Sequence, residues 1–202
     1  MNKVDLKIDW ATFKSAKYAC ENWHYSKCLP SSMQKRVAIG AWEDGIFIGV
    51  IIFGHGANPS IGKPYGLNIN ECIELTRIAL KRGHKSFVSQ IMAIAIKMLK
   101  KAQPGIKLIV SYADQEQGHH GGIYQATNWI YEGLKKGVDK IFYNGRAWHA
   151  KALRTSFQNI DVSKLKKIKS GDKHKYLMPL DKKIKKEILK LKKEYPKNAN
   201  EV

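Results

Sequence analysis

Cys72-Ile73-Glu74-Leu75-Thr76-Arg77-Ile78-Ala79-Leu80, followed by Lys81-Arg82-Gly83-His84-Lys85-Ser86 and then Phe87-Val88-Ser89-Gln90-Ile91-Met92-Ala93-Ile94-Ala95-Ile96-Lys97-Met98-Leu99, decides how the chain reads. The first segment alternates. Ile73, Leu75 and Ala79 can face one way and Glu74, Thr76 and Ile78 the other, which is the period of a half-buried strand. The third segment is apolar enough for a buried helix. Between them lies a basic turn around one glycine. Free backbone N–H groups and the dipole at a helix start attract an anion. The expected guest is a phosphate, carried by a cofactor or by a nucleic acid; a solvated basic loop is the alternative.

The chain has 202 residues and a net charge of +19. Such an excess calls for a polyanionic partner, with nucleic acid as the default and an anionic membrane as the competitor. No basic amphipathic helix with a strong aromatic face speaks for the membrane. The longest apolar run, Ile46 to Phe53, is far too short to span one. Residues 151–202 hold 16 Lys/Arg and 6 Asp/Glu, so the last quarter carries more than half of the excess charge. Three cysteines (Cys20, Cys28, Cys72) and no signal peptide point to a reducing cytoplasm rather than a disulfide framework.

Working outward, Lys3 to Asp9 alternates as a first strand, and Asp9 is placed to cap a helix from Trp10 to about Trp23, with Phe13, Tyr18 and Ala19 inside. Pro30 keeps the segment after His24 out of a helix. Arg36 to Trp42 and Ile46 to Gly54 form a hairpin around Asp44-Gly45. Gly56 to Asn70 is a long loop of the kind that carries function. Lys107 to Ala113 is a strand with Asp114 at its C-terminal end. A polar run through His119-His120-Gly121-Gly122 leads into a helix from Ile123 to about Trp129. Lys140 to Tyr143 is a short strand, Ala147 to Phe157 is mixed, and Lys175 to Leu180 is an edge strand ended by Pro179. Asp181 to Tyr195 is a helix whose apolar stripe is Ile184, Ile188, Leu191 and Tyr195; disorder is expected from Pro196 on. The order predicts an α/β fold with a mixed sheet flanked by helices.

Two sets of residues carry resemblances. Ile123-Tyr124-Gln125-Ala126-Thr127-Asn128-Trp129 resembles the helix of the GNAT acetyltransferases in which a tyrosine serves as general acid, with Asn128 at the position of a glycine in the left-handed conformation. The opening stretch matches their strand, pyrophosphate loop and helix, although only Gly83 of the usual glycines is present. His24-Tyr25-Ser26, Ile61-Gly62-Lys63-Pro64-Tyr65-Gly66, Glu74-Leu75-Thr76-Arg77, Ser111-Tyr112-Ala113-Asp114 and Gly118-His119-His120-Gly121-Gly122 together resemble the Mom family over about residues 20–155. These are adenine-modifying proteins of Mu-like phages.

The Mom resemblance implies a GNAT-like catalytic domain over 1–160 and a lysine-rich strand and helix extension with a disordered tail over 161–202. It implies transfer of a carbamoylmethyl group to the exocyclic amine of adenine in phage DNA, protecting it from restriction in the host cytoplasm. Double-stranded DNA is then the partner. Acetyl-CoA or a related donor, and iron, are the implied cofactors. The oligomeric state stays open, a dimer included. The alternatives are an acyl-CoA-dependent N-acyltransferase acting on a protein, a tRNA or a small amine, and a DNA-binding protein without catalysis.

On this reading Tyr25, Tyr65, Glu74, Asp114 and Tyr124 are the catalytic candidates: carboxylates as bases, tyrosines as acids or as platforms for a flipped base. For Tyr25 and Tyr65, position in loops supports function. Arg77, Arg82, Gly83, His84, Lys85, Ser86 and Ser111 are the candidates for holding a cofactor. His24, Lys63, His119, His120, Trp148, Lys166, Lys167, Lys182 and Lys186 are those for DNA. Cys20, His24 and Cys28 would share a face only on an unbroken helix. Neither they nor Asp114, His119 and His120 match a closed zinc pattern, and Cys20 reads as core packing.

Overall fold

Residues 4–30, 37–56, 58–148, 150–157 and 160–196 are described by the computed structural model. The chain runs β1 (Leu6–Trp10), α1 (Phe13–Trp23), β2 (Val37–Glu43), β3 (Ile46–Gly54), β4 (Cys72–Leu80), α2 (Val88–Ala102), β5 (Leu108–Asp114), α3 (Gly122–Ala126), β6 (Ile130–Lys135), β7 (Lys140–Tyr143), β8 (Arg146–Trp148), α4 (Ala150–Ser156), β9 (Lys167–Ile168), β10 (Lys173–Pro179) and α5 (Lys182–Leu189). The main sheet has the order β1-β2-β3-β4-β5-β10-β6. It is mixed: β4 and β5 run parallel, and its other neighbours are antiparallel. β8-β7-β9 make a second, three-stranded sheet. The fold is therefore the α/β arrangement expected.

The hairpin turn follows directly from its sequence. Asp44 and Gly45 both sit at positive φ, 49° and 79°, which matches the twist of the flanking strands. Above one face of the sheet α2 buries Ile91, Met92, Ala95 and Leu99 against Ile51, Phe53, Ile73, Leu75 and Ile109. On the other face α1 packs Ala16, Ala19 and Cys20 on Val50, Ile52 and Ala79. Beside it α5 buries Ile184 and Ile188 against Ile61, Leu67, Cys72 and Leu177. Each of these side chains removes apolar surface from water, worth about 1.5–3 kcal/mol for a fully buried Leu or Ile.

Several expectations are corrected. Asp9 lies in β1, and Thr12 caps α1 by accepting from the Ser15 N–H. The inner face of α1 is Ala16, Ala19 and Cys20; Phe13 and Tyr18 are exposed. Small side chains let the helix approach the sheet where bulky ones would hold it off. Ala79 faces α1 rather than the side of Ile73 and Leu75, because the β3–β4 register shifts at Thr76. One extra residue reverses the facing of everything beyond it. β6, unread in the sequence, is the far edge strand. β10 is not an edge strand: it is hydrogen-bonded to β5 on one side and β6 on the other. Pro179 is tolerated because it ends the strand. Residues 173–179 are thus part of the main sheet, not of an extension beyond residue 160. α5 stops at Leu189, although Tyr195 still packs inward and donates to the Trp129 carbonyl at 2.6 Å. Arg36 and residues 197–202 lie outside the described residues. Among the described residues no helix is long and apolar enough to cross a membrane.

Candidate functional site

The parallel ladder between β4 and β5 is short. Cys72 pairs with Leu108, Ile73 with Ile109 and Glu74 with Val110, and there it stops. Beyond that point the strands are joined by a side chain: the Ser111 hydroxyl donates to the Leu75 carbonyl at 2.9 Å. Its proton is committed to that bond, so the second bond, 2.8 Å to the Tyr124 hydroxyl, has Tyr124 as donor. Ser111 is buried, and burial pushes the Tyr124 hydroxyl up to about 12. The tyrosine therefore keeps its proton and donates it in the hydrogen bond to the Ser111 oxygen.

Where the strands part, a cleft of about 1030 Å³ opens. Its walls come from the end of α1 and the following turn (Trp23, His24, Tyr25), the second half of β4 with Arg77, Arg82 at the rim, Tyr112 on β5, and His119 to Tyr124. The bulge at Thr76 aims Arg77 here: the Thr76 hydroxyl donates to the Ile52 carbonyl at 3.0 Å, and the guanidinium donates back to the Thr76 carbonyl at 2.7 Å. His24 is buried, and its Nδ1 accepts from the Ser26 N–H at 3.1 Å, which puts the proton of the neutral ring on Nε2. Burial, then the charges of Arg77 and His119, lower its pKa to about 4, so it is neutral near pH 7. The His24 and Tyr25 rings lie 4.2 Å apart, and Tyr25 meets His119 edge-on at 5.6 Å. Tyr25 is 48% exposed, which leaves this aromatic wall open to a ligand.

Glu74 precedes the part of β4 that lines the cleft and is not itself in its wall. Burial raises its carboxyl to about 7 against the opposing pull of Lys173 and Arg77. It is close enough for its charge to raise both Tyr112 and Tyr124. Gly56, at φ +61°, packs on its carboxylate so closely that no Cβ would fit.

The remaining sequence candidates are elsewhere. Tyr65, expected to be available in its loop, is buried: residues 63–65 form a 3₁₀ turn that tucks the ring beneath α5. Its hydroxyl donates to Glu132 at 2.7 Å, and the same carboxylate oxygen pairs with the buried Lys175 at 2.9 Å. Asp114 caps the next turn by accepting from the Glu116 N–H at 3.1 Å and pairs with Lys173. In the basic loop the anion is the chain's own: the Glu43 carboxylate accepts from the Lys85 N–H at 2.9 Å and from the Ser86 N–H. Gly83 turns the loop at φ +79°, and no side chain caps α2. Trp148, Lys166 and Lys167 belong to the small sheet, exposed Lys63 to the 3₁₀ turn, and Lys182 and Lys186 to the outer side of α5.

Tyr112 and Glu43 were not singled out from the sequence. Tyr112 was legible in principle, as the polar-face position two before Asp114; Glu43 was not, since its partners are 42 and 43 residues away. Among the described residues no three His, Cys, Asp or Glu side chains stand together to hold a metal ion. α1 ends at Trp23, so Cys28 lies off the helix that carries Cys20.

Comparison with known proteins agrees with this architecture. Among solved structures, an acetyltransferase-like protein from Acinetobacter baylyi is 13% identical with a TM-score of 0.54, covering 90% of this chain and 95% of that one. A Salmonella typhimurium protein solved with its cofactor acetyl-CoA is 10% identical with a TM-score of 0.53, covering 88% and 95%. These likenesses identify the GNAT acetyltransferase fold. The methylcarbamoylase Mom of Escherichia phage Mu is 24% identical over 132 residues. That match takes in 64% of this chain, which spans about half, 54%, of the phage protein's length. The model of the Mom protein family matches residues 5–197, nearly the whole chain, and the chain belongs to that family.

Proposed function

We propose that the chain is a DNA-modifying transferase that places a carbamoylmethyl group on the exocyclic amine of adenine. The observation that carries this reading is the aromatic and polar cleft at the parting of β4 and β5, in a chain of the Mom family. An adenine must leave the base stack to be modified, and a flipped base is held by stacking and edge hydrogen bonds. Tyr25 and His119 supply ring faces at the open wall, and His24 Nε2–H is a neutral donor beside them.

The amine is a poor nucleophile because its lone pair is shared with the ring. The reaction forms an N–C bond to the donor's methylene carbon, expels the donor's leaving group with its electron pair, and releases one amine proton. Glu74, near half-ionised at neutral pH, is suited to take that proton. Arg77 stands where a departing negative charge would be met. A CoA-like donor would lie between the parted strands, with Arg82 and the start of α2 at its phosphates, and would supply the leaving thiolate.

The GNAT fold by itself favours a second reading, acyl transfer to a protein, tRNA or small amine, and fold does not decide chemistry. The two are separated by expressing the chain in a bacterium and challenging the extracted DNA with restriction endonucleases whose sites contain adenine. Protection with the wild-type chain and cleavage with Glu74→Gln support DNA modification. Full cleavage with a soluble, folded wild-type chain rules it out.

A further inference from the structure

Between β6 and β10 the chain leaves the main sheet for 37 residues, 136–172, and this excursion holds nine Lys/Arg against three Asp. Its net +6 is about a third of the total charge. Its described residues form β8-β7-β9 and α4, packed through Ile141, Leu153 and Val162 around a small core of their own. It is pinned at its root. Asp172 accepts from the Gly137 N–H at 3.0 Å and pairs with Lys136 at 3.0 Å. Asp161 pairs with Lys164. The two acids that make ion pairs are thus used inside the unit. Lys140, Arg146, Lys166, Lys167 and Lys169 have no ion pair among the described residues.

The root also fixes where the unit stands. Lys173, its exit, pairs in register with both Lys135 and Asp114. The Gln115 N–H donates to the Asp172 carbonyl, at the beginning of the turn that goes on to His119 and His120 in the cleft wall. The small sheet therefore rises from the cleft end of the main sheet. α5 starts from the opposite end, after Pro179, which pairs with Leu108 at the base of β5. It holds four lysines, and its first turn follows the end of β10 that lies away from the cleft. On the side of the small sheet away from its core, Phe142 is 42% exposed, and Lys140 shares that side by alternation.

We infer that the small sheet of residues 136–172, and not the lysine-rich α5, is the surface that seats the phosphate backbone of duplex DNA beside the cleft. This rests on the proposed function, since it takes DNA as the substrate of that cleft. Phosphate contacts position a protein without reading sequence, and each neutralised phosphate contributes about −0.9 to the slope of log affinity against log salt.

The test is fluorescence anisotropy with a labelled duplex at several salt concentrations. Two variants are compared with wild type: Lys166→Gln/Lys167→Gln/Lys169→Gln in the small sheet and Lys182→Gln/Lys183→Gln/Lys186→Gln on α5. All six side chains are exposed, so both variants fold, which circular dichroism checks. The expected result is a loss of about 30-fold or more in affinity near 0.1 M salt for the first, with the salt slope shallower by about 2–3. The second is expected to change affinity by less than about threefold. Equal losses, or a larger loss from α5, overturn the inference while leaving DNA as the substrate. A wild-type chain that binds no duplex at any salt overturns the inference and the proposed function together.

Discussion

Ser111→Ala tests the direction of the hydrogen bonds that hold the cleft at its apex. The hydroxyl bridges Leu75 on β4 and Tyr124 on α3 from a fully buried position. Removing it leaves two buried groups without partners, the Leu75 carbonyl and the Tyr124 O–H. At about 1–3 kcal/mol for each stranded group, the cost should be about 3 kcal/mol. Tyr124→Phe removes only the donor. Ser111 keeps its bond to Leu75, so the expected cost is about 1 kcal/mol. In the double variant the stranded tyrosine hydroxyl is gone, and the total should fall about 1 kcal/mol short of the sum. Urea unfolding, read as midpoint shifts at constant slope, measures all three. If Tyr124→Phe costs as much as Ser111→Ala, or the two add within about 0.3 kcal/mol, the assignment of Tyr124 as donor to Ser111 is refuted.

Glu74 makes stability depend on pH. Its carboxyl is raised from 4.5 to about 7, so stability is complete below the unfolded value and is lost as pH rises through the folded one, by about 3 kcal/mol. Glu74→Gln should flatten that fall in urea titrations between pH 4.5 and 7; an unchanged slope contradicts the assignment. Lys175→Met removes the buried cation beside Glu132 and Tyr65, leaving the exposed Lys135 at 3.2 Å as the carboxylate's ion pair, and should cost about 1.5–3 kcal/mol, with Glu132→Gln added to it restoring a large part. A double variant no more stable than Lys175→Met would show that the carboxylate's charge is not the cause. Glu43→Ala frees the amides of Lys85 and Ser86 and should lower stability by about 2 kcal/mol. Added sulfate should raise the thermal midpoint of this variant by more than that of wild type; equal shifts would mean that the loop is not an anion site.

Much of this architecture is legible from local pattern. β4 and α2 show in alternation and apolar content, Asp44-Gly45 announces its turn, and Asn128 does take φ +60°, the conformation for which an asparagine stands in for glycine. What escapes is set by contacts between distant residues. The bulge at Thr76 leaves no mark in composition, yet it turns Arg77 into the cleft and Ala79 toward α1. β6 is obscured by Gly133, and β10, with its lysines and Pro179, reads as an edge until strand order places it centrally. In the site, Glu74 and Tyr25 are recognisable as polar or loop-borne positions. Tyr65 is not what its loop implies, because Glu132 draws its hydroxyl inward from 67 residues away and the Lys175 ammonium lies over its ring.

The central claim, that this cleft alkylates adenine in DNA, is tested most directly by mass spectrometry of nucleosides from the DNA of cells expressing the chain. The account predicts a deoxyadenosine carrying the added mass of a carbamoylmethyl group with the wild-type chain, and its loss with Glu74→Gln at equal protein level. An unmodified nucleoside profile from cells that hold the soluble, folded wild-type chain would contradict it.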